Sequence, residues 1–186
     1  MTVNEREMKS VIRAGLLAVA LPALAFVLAF ASANLLWLDY VHVHLGAIWT
    51  GVDVFLGLIF AFVIRTLDSD TKKNVAWRIL HMTLFFIPAV SVLTPTTGYI
   101  LAVNEGIFSL SSPIIDSILI VGGMLFAIGF ATIVPYSWLI LREMRMDTVN
   151  NKKISDCLAI ISGGALAQMI FQVAIISLMA YIVVYP

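Results

Sequence analysis

Charged residues and cysteine are both scarce in this sequence. Asp, Glu, Lys and Arg make up 12% of the 186 residues, whereas 61% are hydrophobic and the mean hydropathy is +1.03. A soluble domain carries roughly 25% charged residues because charge faces water, so most of this surface faces something else. Eleven basic residues balance eleven acidic ones, which excludes the basic footprint of a nucleic-acid-binding protein. The single cysteine, Cys157, excludes an intramolecular disulfide and any metal or iron–sulfur site built from several cysteines.

Long polar stretches are also missing, and five long apolar runs are present instead. A helix needs about 20 apolar residues to cross a bilayer. Runs of that length occupy residues 14–36, 41–64, 79–103, 113–141 and 158–184. Prolines inside them, such as Pro95, are tolerated in membrane helices because neighbouring helices and hydroxyl side chains satisfy the freed carbonyls. The sequence predicts an all-α fold, with residues 1–186 forming one membrane-embedded bundle of five transmembrane helices.

Lys and Arg are absent from the first and third connections between these runs. They are confined to the N-terminal tail (Arg6, Lys9, Arg13), the second connection (Arg65, Lys72, Lys73, Arg78) and the fourth (Arg142, Arg145, Lys152, Lys153). Positively charged segments stay in the cytoplasm during insertion. This alternation predicts a multi-pass protein of the cell membrane with a cytoplasmic N-terminus and an outer C-terminus.

The first run has one alternative interpretation, a signal peptide cleaved after Ala31-Ser32-Ala33. Its apolar stretch is long for a signal peptide, and the preceding tail carries Glu5 and Glu7. Both features favour a membrane helix.

One ionisable side chain, Asp53, lies in the middle of the second run. An ionisable group inside a membrane helix is costly to bury and therefore marks a functional candidate. His42, Trp49 and Asp53 follow each other at i, i+7 and i+11, which places them on one helix face. Two interpretations of Asp53 stay open: a proton relay, or a protonated acid that only bonds to a neighbouring helix.

Other polar side chains in the runs are candidate partners. Gln168 and Gln172 are one turn apart in the fifth run and are predicted to pair with Asp53 or with each other. The cluster from Thr94 to Tyr99 surrounds Pro95. It either lines a polar pocket or repairs backbone hydrogen bonds that the proline breaks.

The three histidines lie near different faces of the predicted bundle. His42 and His44 are near the outer face and His81 is near the cytoplasmic one, with a hydrocarbon core of about 30 Å in between. His42 and His44, two residues apart, point to different sides of a helix. A site of two histidines for one metal ion is therefore disfavoured. A haem held by one histidine, two haems at opposite faces, or a haem shared with a partner subunit stay open.

Two segments carry a family resemblance. The run from His42 to Gly51 has the pattern H-x6-W-x-G at the start of a membrane helix, and after a charged loop comes the run from Pro88 to Gly98. Together they resemble the copper-resistance-D and HemJ-like group of small haem-associated membrane proteins. The resemblance implies haem b, with His42 as ligand of the iron and Trp49 and Gly51 shaping its pocket.

The sequence also departs from that group in two respects. The HemJ-like oxidases use a basic residue within a later helix, and here no Lys or Arg lies deep in a run. The eight methionines are scattered instead of paired, which argues against copper handling.

Three functions remain as hypotheses, and whether the protein is an enzyme stays open. The first is an integral membrane haem-b protein in electron transfer or quinone-linked redox chemistry, with His42 and His81 as cofactor-binding candidates and Asp53 as a proton relay. The second is a small proton-coupled transporter or channel component. The third is an accessory subunit of a larger membrane complex. The predicted partners are the lipid bilayer, a quinone or redox protein, and further copies or subunits, but no nucleic acid.

Overall fold

The computed structural model describes residues 5–185, except for the side chains of residues 5–8, 11 and 81. Within this part the chain is helical and contains no β-strand. The five long helices are α1 (Glu5–Ala31), α2 (Leu35–Thr66), α3 (Ser69–Asn104), α4 (Pro113–Glu143) and α5 (Asn151–Val184). Each contains a stretch long and apolar enough to cross a membrane. The all-α prediction with five such helices is confirmed.

The first connection lies earlier than the apolar runs placed it. The runs left residues 37–40 as the connection, whereas α1 ends at Ala31 and α2 begins at Leu35. Ala33 has a φ of 52°, which a right-handed helix cannot continue. The side chain of Asn34 then caps α2 by accepting the backbone N–H of Leu36 at 2.9 Å. Hydropathy does not register so short a turn between two apolar helices.

Helix α3 begins about three turns and α5 about two turns before its apolar run, because each has a strong N-cap. Asp68 accepts the backbone N–H groups of Asp70 and Thr71, and Asn150 accepts that of Lys153 at 3.1 Å. The Thr71 hydroxyl and these N–H groups lower the pKa of Asp68. Lys72 and Lys73 of the second connection and Lys152 and Lys153 of the fourth therefore lie within the first two turns of α3 and α5.

Three of the helices contain a π-helical segment. These segments are Phe55–Phe60 in α2, Met82–Phe86 in α3 and Gly129–Ile133 in α4. A π turn inserts residues into the helical repeat and so changes which side chains face the neighbouring helix, and such turns are often found at functional sites. All three helices pack against α5.

Helix α1 packs against α2 and α3 at the side of the bundle. Its residues Gly15, Pro22 and Ala29 are buried and recur every seven residues, which places them on one stripe. A Cβ on Gly15 would overlap the ring of Phe85 in α3. Most of the remaining described surface of α1 is exposed and apolar.

Two apolar clusters form most of the core. The larger one includes Leu56, Leu80, Ile133, Ile140 and Leu158. The second contains Leu45, Trp49, Val90 and Leu125. Along α2 and α5 a layer of buried polar side chains separates the two clusters.

Candidate functional site

The buried polar layer centres on Asp53 of α2. Asp53 is fully buried, and Gln172 of α5 is 2% exposed. The side-chain amide Nε2 of Gln172 donates to the carboxyl Oδ2 of Asp53 at 2.8 Å. The predicted pairing of a fifth-run glutamine with Asp53 is confirmed for Gln172.

Gln168, one turn earlier on α5, binds a different helix. Its Nε2 donates to the backbone carbonyl oxygen of Leu125 in α4 at 2.8 Å. Gly129 of α4 makes room for this contact, since a Cβ there would lie 2.7 Å from Nε2 of Gln168. The two glutamines therefore tie α5 to α2 and to α4 in the same layer.

Two more close contacts place α5 against these helices. A Cβ on Gly57, inside the π segment of α2, would lie 2.7 Å from the backbone nitrogen of Leu166. A Cβ on Gly164 of α5 would overlap the hydroxyl of Thr132, inside the π segment of α4. Glycines at the π segments and on α5 thus allow the helix approach that brings the polar layer together.

Several polar atoms of the layer have no hydrogen-bond partner among the described residues. They are the acceptors Asp53 Oδ1, Gln168 Oε1 and Gln172 Oε1 and the donor Trp49 Nε1. Acceptors outnumber donors, so a proton on Asp53 or ordered water between these groups would supply the missing donors. The arrangement can hold a proton or water, and both apolar clusters lie between it and the ends of the bundle.

His42, near the N-terminal end of α2 on the same face, is held by α3. Its Nδ1 lies 2.9 Å from the carbonyl oxygen of Thr94 and 3.2 Å from the hydroxyl of Thr97. A carbonyl oxygen only accepts, so Nδ1 donates to it, and in the neutral imidazole Nε2 keeps its lone pair. The ring lies against Gly98, where a Cβ would come within 2.7 Å of Cε1. The cluster around Pro95 therefore anchors a histidine, a role that the sequence analysis did not assign to it.

His42 and Asp53 share a face but not a contact. Eleven residues at 1.5 Å per residue separate them by about 16 Å along the helix, and the buried Leu45 and Trp49 lie between them. Gly51 is exposed. Apart from the adjacent backbone of its own helix, no atom lies within 4 Å of where its Cβ would be. His81 belongs to α3, but its side chain lies outside the described residues.

His44 is a further candidate, which the sequence analysis weighed only as half of a metal site. Its Nδ1 donates to the carbonyl oxygen of Tyr40 at 2.7 Å. The side chain lines a groove of about 690 Å³ between α1 and α2. In the part of the chain that the structure describes, no group of three or more His, Cys, Asp or Glu residues could hold a metal ion.

Comparisons of the chain with protein-family models, with curated proteins and with solved structures found no match. Function has therefore to be inferred from the geometry of these side chains and from the distribution of charge.

Proposed function

We propose that this protein crosses the cell membrane five times, with its N-terminus in the cytoplasm and its C-terminus outside. The five apolar helices support this placement, as does the confinement of all Lys and Arg residues to the N-terminal tail and to alternate connections. Large apolar side chains that remain exposed, such as Leu17 and Leu24 on α1 and Val173 on α5, would face lipid.

Within the membrane, the geometry best supports a haem-b protein acting in electron transfer or quinone-linked redox chemistry. The observation that carries this proposal is the hydrogen bond from Nδ1 of His42 to the Thr94 carbonyl. Histidines that bind metals almost always donate their other ring nitrogen in this way, which orients the ring and fixes the tautomer. Nε2 of His42 has no hydrogen-bond partner among the described residues and would hold the haem iron.

Two further features of the site support a haem held by one histidine. An imidazole is a common ligand of haem iron. Gly98 leaves room for the imidazole ring of His42, which a side chain at this position would displace. Trp49 lies two turns further along α2 on the same face as His42, whereas Gly51 lies on the opposite, exposed side of the helix. A bound haem would supply one-electron redox chemistry. His42 would hold its iron, while Thr94 and Thr97 would orient the imidazole ring of His42.

The test is a reduced-minus-oxidised optical spectrum of the purified protein. Protein produced with an adequate supply of haem should show the Soret and α bands of haem b. If neither band is present under those conditions, the haem proposal is abandoned.

A second candidate function, proton-coupled transport, is favoured by one observation. Asp53 is fully buried with one carboxyl oxygen unpartnered among the described residues, and an intramembrane carboxyl group of this kind commonly carries protons. Asp53→Asn keeps the shape of the side chain but removes the titratable group. Proton flux in reconstituted vesicles should fall at least tenfold in this variant.

The matched control for that flux measurement is Ser162→Ala on α5. Ser162 is also buried, with a hydroxyl that has no partner among the described residues, but this hydroxyl does not ionise near neutral pH. Unchanged flux in Asp53→Asn, or equal losses in both variants, would rule out Asp53 as the proton carrier.

A further inference from the structure

A groove runs along the outer half of the bundle between α1 and α2. Leu21, Ala25 and Leu28 of α1 form one wall, Leu45 and Ile48 of α2 form the other, and the volume is about 690 Å³. This volume is in the range of small-molecule and cofactor sites. From Ile48 to Trp37 the α2 wall spans eleven residues, or about 16 Å.

The outer end of this groove differs from its walls because it is aromatic and polar. Trp37, Tyr40 and His44 of α2 line it. The rings of Trp37 and Tyr40 lie 6.0 Å apart, and those of Tyr40 and His44 lie 6.1 Å apart. The groove therefore combines a long apolar body with one end suited to a planar, polar ring.

His44 determines which polar group this end can accept. Its Nδ1 is used by the Tyr40 carbonyl at 2.7 Å, so Nδ1 carries the hydrogen and Nε2 of the neutral ring is an acceptor. No described residue donates to Nε2. A ligand that completes the hydrogen bonding of His44 must therefore bring a donor.

We propose that this groove binds a quinol, with one ring hydroxyl donating to Nε2 of His44 and the apolar tail lying between α1 and α2. A quinol combines the three features that the groove requires: an aromatic ring, a hydroxyl donor and an apolar chain. The acyl chain of a phospholipid would fill the apolar body, but its ester oxygens only accept, so a lipid would reach Nε2 only through a headgroup that carries a donor. Such a headgroup lacks the planar ring for which Trp37 and Tyr40 line the groove end.

This proposal rests on the membrane placement proposed above and gives a site to the quinone-linked chemistry, but it does not require haem. His42 and His44 are two residues apart and so point to different sides of α2. His42 is held by α3, whereas His44 bonds to its own helix. Haem binding and quinol binding can therefore be removed one at a time.

The experiment measures binding of decylubiquinol to the full-length protein in lipid nanodiscs by quenching of tryptophan fluorescence. His44→Ala should weaken binding by about fivefold or more, the effect of losing one hydrogen bond. The dimethyl ether of the same quinol keeps the ring and tail but lacks the donors, so it should bind the wild type about fivefold more weakly as well. Val43→Ala, at an exposed site of the same helix that does not line the groove, should bind the quinol like the wild type.

Loss of binding in His44→Ala could also result from misfolding, so a second variant blocks the groove and leaves His44 in place. Ala25→Phe fills the groove from the α1 side and should abolish binding, whereas Val173→Phe, at an exposed site on α5, should not change it. If His44→Ala binds the quinol like the wild type, or if the ether binds as tightly as the quinol, the groove holds lipid through apolar contact alone and the proposal is wrong. The same holds if Ala25→Phe leaves binding intact.

The haem proposal fails independently of this one. Quinol binding that depends on His44 in a protein without haem bands would refute the haem proposal and support the quinol site. Haem bands together with quinol binding that does not depend on His44 would support the haem proposal and refute the quinol site.

Discussion

Single residues on α2 differ in whether their hydrogen bonds stay within the helix or reach another one. His44 bonds to Tyr40 of its own helix, whereas His42 and Asp53 bond to partners 52 and 119 residues away. The sequence indicated Gln168 and Gln172 as partners of Asp53 or of each other, because polar groups inside apolar helices are rare and bond to one another. It could not pair His42 with Thr94, because no periodicity relates positions on two different helices. The backbone carbonyl that fixes the histidine is moreover present in every residue.

The hydrogen bond between Gln172 and Asp53 should contribute to the free energy of unfolding. Gln172→Leu leaves Asp53 buried without its donor, so we expect a loss of about 0.6–1.7 kcal/mol, the range for hydrogen bonds between membrane helices. The double variant Asp53→Leu/Gln172→Leu removes both polar groups and should regain much of that loss. Thermal unfolding in detergent measures both, and a double variant less stable than Gln172→Leu would contradict this account of the pair.

Whole helices were easier to predict than their irregularities. The apolar runs located all five helices, and the i, i+7, i+11 spacing identified the face of α2 on which Trp49 and Asp53 are buried. The first connection and the three π segments were not predicted. The connection depends on the backbone conformation at Ala33, and the π segments of α2 and α4 lie where these helices approach α5 closely. Hydropathy carries no signal for either feature.

Neighbouring glycines on α5 test the helix approach directly. Gly164→Ala places a Cβ against Thr132, whereas a Cβ on the adjacent Gly163 meets nothing within 4 Å. We expect Gly164→Ala to destabilise the protein by about 1–3 kcal/mol through overpacking. Gly163→Ala should be neutral or slightly stabilising, since alanine favours a helix. Equal unfolding temperatures for the two variants would show that α5 does not approach α4 this closely.

The whole molecule combines an apolar surface with charge at alternate connections. This combination predicts the membrane orientation, and it needs no knowledge of how the helices pack. The arrangement of the helices around α5, by contrast, depends on side-chain fit and was not predicted. The separation of His42 and His44 from the buried polar layer follows from that packing and from their distance along α2.

Orientation can be measured with single cysteines in a Cys157→Ser background. Ser111 lies in the third connection and Ser69 at the start of α3, and both are exposed. A membrane-impermeant maleimide should label Ser111→Cys on intact cells and Ser69→Cys only after lysis. The opposite pattern would invert the proposed orientation, and equal labelling of both sites before lysis would contradict the five-span arrangement.

The proposed role of His42 is tested most directly by the haem content per chain, determined as the pyridine haemochromogen. The account predicts close to one haem b per chain in the wild type and in His44→Ala, and close to none in His42→Ala. The two variants alter neighbouring histidines of the same helix, so a general effect of the substitution on folding would reduce haem in both. A wild type without haem, or a His42→Ala variant that retains it, would contradict the assignment of His42 as the haem ligand.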